Sequence, residues 1–417
     1  MSTDSERTQQ RLDDPELFKN GPLRLATRLW SPGDLRADPA QLRRLREFAQ
    51  AGDPLADHVM DMLGTLAPGQ GRALFERALI GGIDSIGDPP DALAAFFDEV
   101  DAPPYWVDFD RIDRGARAII RTGLLGMFPL GDMSLMGGYL ASRAVKTLVG
   151  TGDLERLAVL RLAETSTWWI DVTTPGSLRP GGSGVHSALR VRLVHAHVRA
   201  AMNRRRDWDY AAWDRPVNQV QTAGTLLLFS LVFVLGTQML GFRYTRRERD
   251  DILHLWRYVG WLMGVDDELL PATEEDGWRL LWLLAVTEFI PDDDSKRLAK
   301  ALATSHANVG AGLGPLSGIV GSASVSLHAA ISRMLIGKSN ADFLGLPNHR
   351  ITSAAVLGLA AANFAAETAR QRLPGATALQ ERLGSFTRRG YVARLGKFVQ
   401  LDRSYARHMR AGQRSVA

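Results

Sequence analysis

The chain has no cysteine in its 417 residues. That absence removes disulfides, thiolate zinc sites, iron–sulfur clusters and cysteine nucleophiles, so any metal must be held by nitrogen or oxygen. Charge of one sign is scarce as well: 50 Lys and Arg against 46 Asp and Glu leave a formal charge of +4, with no basic run. Nucleic-acid binding is therefore not expected. There is no His-Glu-x-x-His, no Glu-x-x-His pair placed for a di-iron bundle, no Gly-x-Ser-x-Gly elbow between strand and helix, and no fixed-period repeat. These gaps argue against zincins, di-iron carboxylate proteins, serine hydrolases and solenoids. Met1 to Arg11 is polar, without the apolar core of an export signal, and a cytoplasmic location is the expectation.

What is present is an ordinary globular balance, 45% apolar and 23% charged residues, enough to bury a large core. Alternating strand patterns joined by hairpin signals are nearly missing, and helical periodicity dominates. Helices are expected over Gln41 to Gln50, Gly71 to Ile80, Asp91 to Val100, Ile112 to Gly123, Leu135 to Val149, Leu154 to Trp169 and Ser187 to Arg206. Further on they are expected over Thr222 to Phe242, Thr245 to Met263, Glu274 to Phe289, Asp294 to Ala307, Gly318 to Leu335 and Thr352 to Gln371, with a basic pair from Leu379. The fold class is all-α: a flexible tail over residues 1–20, then a single mainly helical domain over 21–417. Thr222 to Phe242 is long enough to span a bilayer, but its Gly224, Ser230, Gly236, Thr237 and Gln238 suit a central core helix, and no stable membrane span is expected. Gly310 to Gly318 is rich in glycine, but no strand precedes it and no Gly-Lys-Ser/Thr follows, so it reads as a turn or a close-packing segment.

The chemistry concentrates in two long helices. In Arg192-Leu-Val-His195-Ala-His197-Val-Arg199, Arg192, His195 and Arg199 fall at i, i+3 and i+7 and share one face about 10 Å long. An imidazole between two cations suits a haem iron ligand with basic partners for the propionates; the alternative is a solvated helix face. His197 points elsewhere, and chelation by His195 with His197 is disfavoured on a helix. On the preceding helix, Arg161, Glu164 and Thr165 share a face able to line a pocket; the alternative is a salt-bridged helix side.

Four blocks in order carry a resemblance: Arg161-Leu-Ala-Glu-Thr165; Arg192-Leu-Val-His195-Ala-x-x-Arg199; Pro216-Val-Asn-Gln219-x-x-Thr222-Ala-Gly-Thr-Leu-Leu-Leu-Phe229; and Trp256-x-x-Val259-Gly-x-Leu-x-Gly264 continuing to Pro271-Ala-Thr-Glu-Glu275. Together they resemble the latex-clearing-protein (rubber oxygenase) family and the wider MpaB-type oxygenases, over roughly residues 120–290. The resemblance implies a globin-like helical core holding haem b, with His195 as the proximal iron ligand. It places Arg161 and Thr165 near the haem on the facing helix, with Arg192 and Arg199 as basic neighbours.

The implied activity is a haem-dependent oxygenase that uses dioxygen on a small apolar or isoprenoid-like substrate, by oxidative C=C cleavage. The alternative is a non-catalytic haem-binding or gas-sensing protein. Two positions depart from the family: Glu164 stands where the latex enzymes have a lysine, and Val145 where they have a distal-side glutamate. Glu164 is then the candidate to manage the reaction's proton, with Asp132 and Tyr139 as weaker candidates. Rubber itself is not the expected substrate.

Overall fold

The computed structural model describes residues 12–19, 21–30, 33–150, 154–307 and 316–398; the start of the expected tail, residues 310–315 of the glycine-rich segment and everything beyond 398 lie outside them. Among the described residues the regular structure is helical throughout. The expected helices are there, most within a turn of the expected ends: Asp91–Asp101, Ser183–Asn203, Arg246–Leu262 and Ser317–Ile336 are examples. Local chemistry sets several starts. Asp38, Thr245 and Thr273 each close a capping box with the residue three places on, satisfying amide donors that the first turn leaves open.

Four expectations are corrected. Residues 12–19 are not a loose tail: Glu16–Lys19 is a short helix with Phe18 buried, and Asp14 accepts a hydrogen bond from Trp282 Nε1 at 2.9 Å. The expected Leu135 to Val149 helix is broken into a π-helix Pro129–Leu135, a short turn Met136–Gly138 and Ser142–Gly150, with glycines 131, 137 and 138 weakening the stretch. The long apolar stretch bends at Ser230, whose Oγ bonds back to the Leu226 carbonyl at 2.8 Å, dividing Gln219–Phe229 from Leu231–Met239. From Ala376 to Phe398 there is one helix rather than a pair.

One connected apolar core runs from Phe18 to Val356, with Trp169, Trp256, Trp278 and Trp282 fully buried. The Phe109–Ile120 helix lies directly against Arg246–Leu262. Gly115 permits that approach, since a Cβ there would sit 2.4 Å from the Asp251 carbonyl oxygen. Three helices are long and apolar enough to cross a membrane: Gln219–Met239, Ser317–Ile336 and Arg350–Arg370. In the first, 67% of the most apolar 18-residue window is buried within the fold, whereas in the last only 11% is, with Ile351, Leu357 and Phe364 exposed. The sequence predicts this last helix, over Thr352 to Gln371, without marking it as long and apolar enough to cross a membrane.

Candidate functional site

Ser183–Asn203 packs against Leu154–Val172 on one side and Pro54–Gly64 on another. This sandwich places the Arg192, His195 and Arg199 face. His195 Nδ1 is sealed from solvent and has no hydrogen-bond partner among the described residues, although the ring as a whole keeps some accessible surface. Burial, reinforced by the nearby Arg199 cation and only partly opposed by Asp53, pushes the imidazole down to about 4. At neutral pH His195 is an uncharged base with a lone pair to give.

The two arginines on this face are each paired with carboxylates of other helices. Arg192 donates to Asp53 through Nε at 2.7 Å and Nη2 at 3.0 Å, and to Glu99 through Nη1 at 2.9 Å, while its guanidinium lies 4.8 Å over the Phe96 ring. Arg199 donates to Asp57 at 2.7 Å and to the Val217 carbonyl at 2.8 Å. Both are buried cations paired with carboxylates, and these pairs fix the helix in place. The physical reason is desolvation: a buried guanidinium needs a close anion, and Asp53 and Asp57 supply it from the start of Pro54–Gly64.

Neither aspartate was picked out from the sequence. Asp53 followed by Pro54 carries the signature of a helix N-cap, and Asp53 does cap, accepting from the Ala56 amide at 3.2 Å. That signal marks the start of a helix. It does not reveal a pairing 139 residues away.

The third and fourth sequence blocks build the floor under these pairs. Gln219 Nε2 donates to the carbonyls of Gly52 at 2.7 Å and Gly264 at 2.8 Å, and its Oε1 accepts from the Asp266 amide at 2.9 Å. Asn218 caps the Gln219–Phe229 helix through the Gln221 amide. Gly264 has φ +74°, and a Cβ on it would lie 2.3 Å from Asp53 Oδ2 and 2.6 Å from Arg192 Nε. Only glycine lets the chain pass so close to the ion pair.

On the facing helix, Arg161 is largely buried and has Tyr139 and Glu164 as its charge neighbours; burial lowers the guanidinium and both neighbours oppose that shift. Tyr139 is buried, and desolvation pushes its phenol up. The structure thus groups Arg161, Glu164 and Tyr139, with Thr165 half-buried on the same helix. Val145 is fully buried in the adjoining Ser142–Gly150 helix, so no acid stands there. One turn beyond Thr165, Trp168 meets Phe229 at 5.6 Å and Trp256 at 6.0 Å, and Phe229 stacks on Trp256 at 5.5 Å. These three rings form one packed aromatic cluster at that end of the helix.

Asp132 does not join Arg161 and Glu164. It lies in the π-helix and bonds to His328 and Ser332 of the Ser317–Ile336 helix.

Compared with known proteins, residues 120–369 match the family described as ER-bound oxygenase mpaB/B'/rubber oxygenase, catalytic domain. Rubber oxygenase of Streptomyces sp. (strain K30) is 27% identical over 204 residues, covering 48% of this chain and 47% of that protein, so the match spans about half of the relative's length. A solved structure of latex clearing protein LCP in the closed state superposes with a TM-score of 0.59 at 22% identity, over 81% of this chain and 88% of that one. That likeness shows a shared helical fold. The family match covers well over half of the sequence and takes in His195, Arg161, Glu164 and the third and fourth blocks: the chain belongs to the mpaB/rubber oxygenase catalytic-domain family.

Proposed function

We propose that the protein is a haem b-dependent oxygenase that acts with dioxygen on a small apolar or isoprenoid-like molecule, cleaving a carbon–carbon double bond into two carbonyl ends. The observation that carries this reading is His195. It is an uncharged imidazole whose Nδ1 is buried with no hydrogen-bond partner among the described residues, on a helix held by one buried and one partly buried ion pair. A rigid neutral imidazole is what an axial iron ligand requires. When bound, the haem supplies the iron centre at which dioxygen is activated.

The chain's own residues do the rest. His195 holds the cofactor. Arg161 supplies positive charge on the facing helix, and Arg192 and Arg199, paired with Asp53 and Asp57, hold the His195 helix in place beside the cofactor. Glu164, buried one turn from Arg161, is placed to hold and pass a proton at its carboxylate. Trp168, Phe229 and Trp256 exclude water and offer an apolar surface to an alkene.

The test is oxygen uptake by the haem-loaded protein with and without an added isoprenoid alkene, with carbonyl products identified by mass. Alkene-dependent uptake with paired carbonyl products is expected. Glu164→Gln should slow it by about 100-fold or more while leaving the haem spectrum in place. Reversible uptake of oxygen with no alkene consumed would overturn the oxygenase reading in favour of a carrier or sensor.

A further inference from the structure

Outside this site, three residues from separate helices meet at one point: Asp132 in the Pro129–Leu135 π-helix, His306 in Asp293–Ala307 and His328 in Ser317–Ile336. One potential ligand atom from each lies within 4.8 Å of the other two. His328 Nδ1 is 2.9 Å from Asp132 Oδ2, and Ser332 Oγ donates to Asp132 Oδ1 at 3.2 Å. The His306 and His328 rings stack in parallel, 8° apart in plane with centroids 3.5 Å apart, and Phe128 packs on His328 at 5.2 Å.

Two features of this cluster have no account within the protein. Asp132 is completely buried, yet no Lys or Arg among the described residues pairs with it; its contacts are an imidazole and a hydroxyl. A buried carboxylate without a cation is costly. His306 is 7% exposed, and its Nε2 is buried with no hydrogen-bond partner among the described residues. Such an orphan costs about 1–3 kcal/mol and calls for an explanation.

We propose that Asp132, His306 and His328 bind one divalent first-row transition-metal ion, held by residues other than those assigned to the haem and independent of that reading. Two imidazoles and one carboxylate are the donor set of the facial triad, and they suit Zn(II), Fe(II) or Co(II) rather than Mg(II) or Ca(II), which prefer oxygen. The spacing fits after a small contraction. Donors about 2.1 Å from one ion lie about 3 Å apart when cis, the present Asp132 to His328 separation, and His306 must close by up to about 2 Å. The stacked rings tilt apart as their lone pairs converge.

A dication supplies the charge that Asp132 lacks and the partner that His306 Nε2 lacks. Entry is open along His328, whose side chain is 22% exposed. The placement also suits the backbone: π-helical segments such as Pro129–Leu135 recur at functional sites because the extra residue re-aims a side chain.

The experiment is a titration of the full chain, stripped with a chelator, with Co(II) alone, read by visible absorption. One equivalent should bind saturably and be displaced by Zn(II). His306→Ala and His328→Ala should lose saturable binding, Asp132→Asn should weaken it by about 10–100-fold or more, and His195→Ala should leave it unchanged. Each variant is checked for native helical circular dichroism. Should one fail to fold, X-ray absorption at the Co edge of the wild type decides: two imidazoles and an oxygen-rich remainder are expected. No saturable binding by wild type, binding that survives both histidine variants, or a Co shell without imidazole overturns the proposal.

Discussion

Replacing Arg192 with Met separates a structural role from a cofactor-contacting one. The guanidinium makes two bonds to Asp53, at 2.7 and 3.0 Å, and one to Glu99 at 2.9 Å, and both Arg192 and Asp53 are buried. Removing it strands the Asp53 carboxylate in the interior, which costs about 3–5 kcal/mol. With an unfolding entropy of about 2.1 cal/mol/K per residue, a chain of this size loses about 1 °C of Tm per kcal/mol, so a fall of about 3–6 °C is expected. Thermal and urea unfolding of the haem-free protein measure it. Asp53→Asn on the Arg192→Met background should recover more than half of the loss, because the stranded charge is then gone while the N-cap acceptor remains. If Arg192→Met leaves the haem-free protein as stable as wild type but abolishes haem retention, the arginine serves the cofactor and the pairing account is refuted.

Gly264→Ala should cost at least about 1–3 kcal/mol, because alanine is strained at φ +74° and its Cβ would press on the Arg192 and Asp53 pair; unchanged urea unfolding would contradict the close approach. His254 accepts a hydrogen bond from the Asp108 amide at 3.0 Å, and burial with Arg111 close by pushes its imidazole down to about 4. Between pH 6.5 and 4 the unfolded chain therefore takes up a proton that the folded chain refuses. The His254 contribution to stability should fall as pH drops through that window and level off below it. His254→Gln should remove about one proton from that slope in urea titrations across pH, and an unchanged slope would count against the assignment.

The helices were legible because apolar spacing and caps such as Thr245 with Glu248 are local signals. Where they misled, a competing local effect won: the Ser230 hydroxyl bends an otherwise unbroken apolar run, and glycines turn Leu135 to Val149 into short pieces. The site was legible in part. The i, i+3, i+7 spacing put Arg192, His195 and Arg199 on one face, and all three lie together between neighbouring helices. Their surroundings were not legible: Asp53, Asp57 and Glu99 reach them across 139, 142 and 93 residues of chain, and such pairings leave no periodic trace. The same holds for Asp132 with His306 and His328, an arrangement of metal-binding type whose spacing matches no local motif.

The central claim, that His195 is the protein ligand of a haem iron, is tested most directly by the absorption spectrum of the haem-loaded protein, recorded before and after reduction with dithionite and addition of carbon monoxide. The account predicts a Soret band that shifts on both additions, is lost in His195→Ala, and is retained in His197→Ala and Arg199→Lys. A wild-type protein that shows no Soret band even after haem is added, or a band that survives His195→Ala and disappears in His197→Ala, would contradict it.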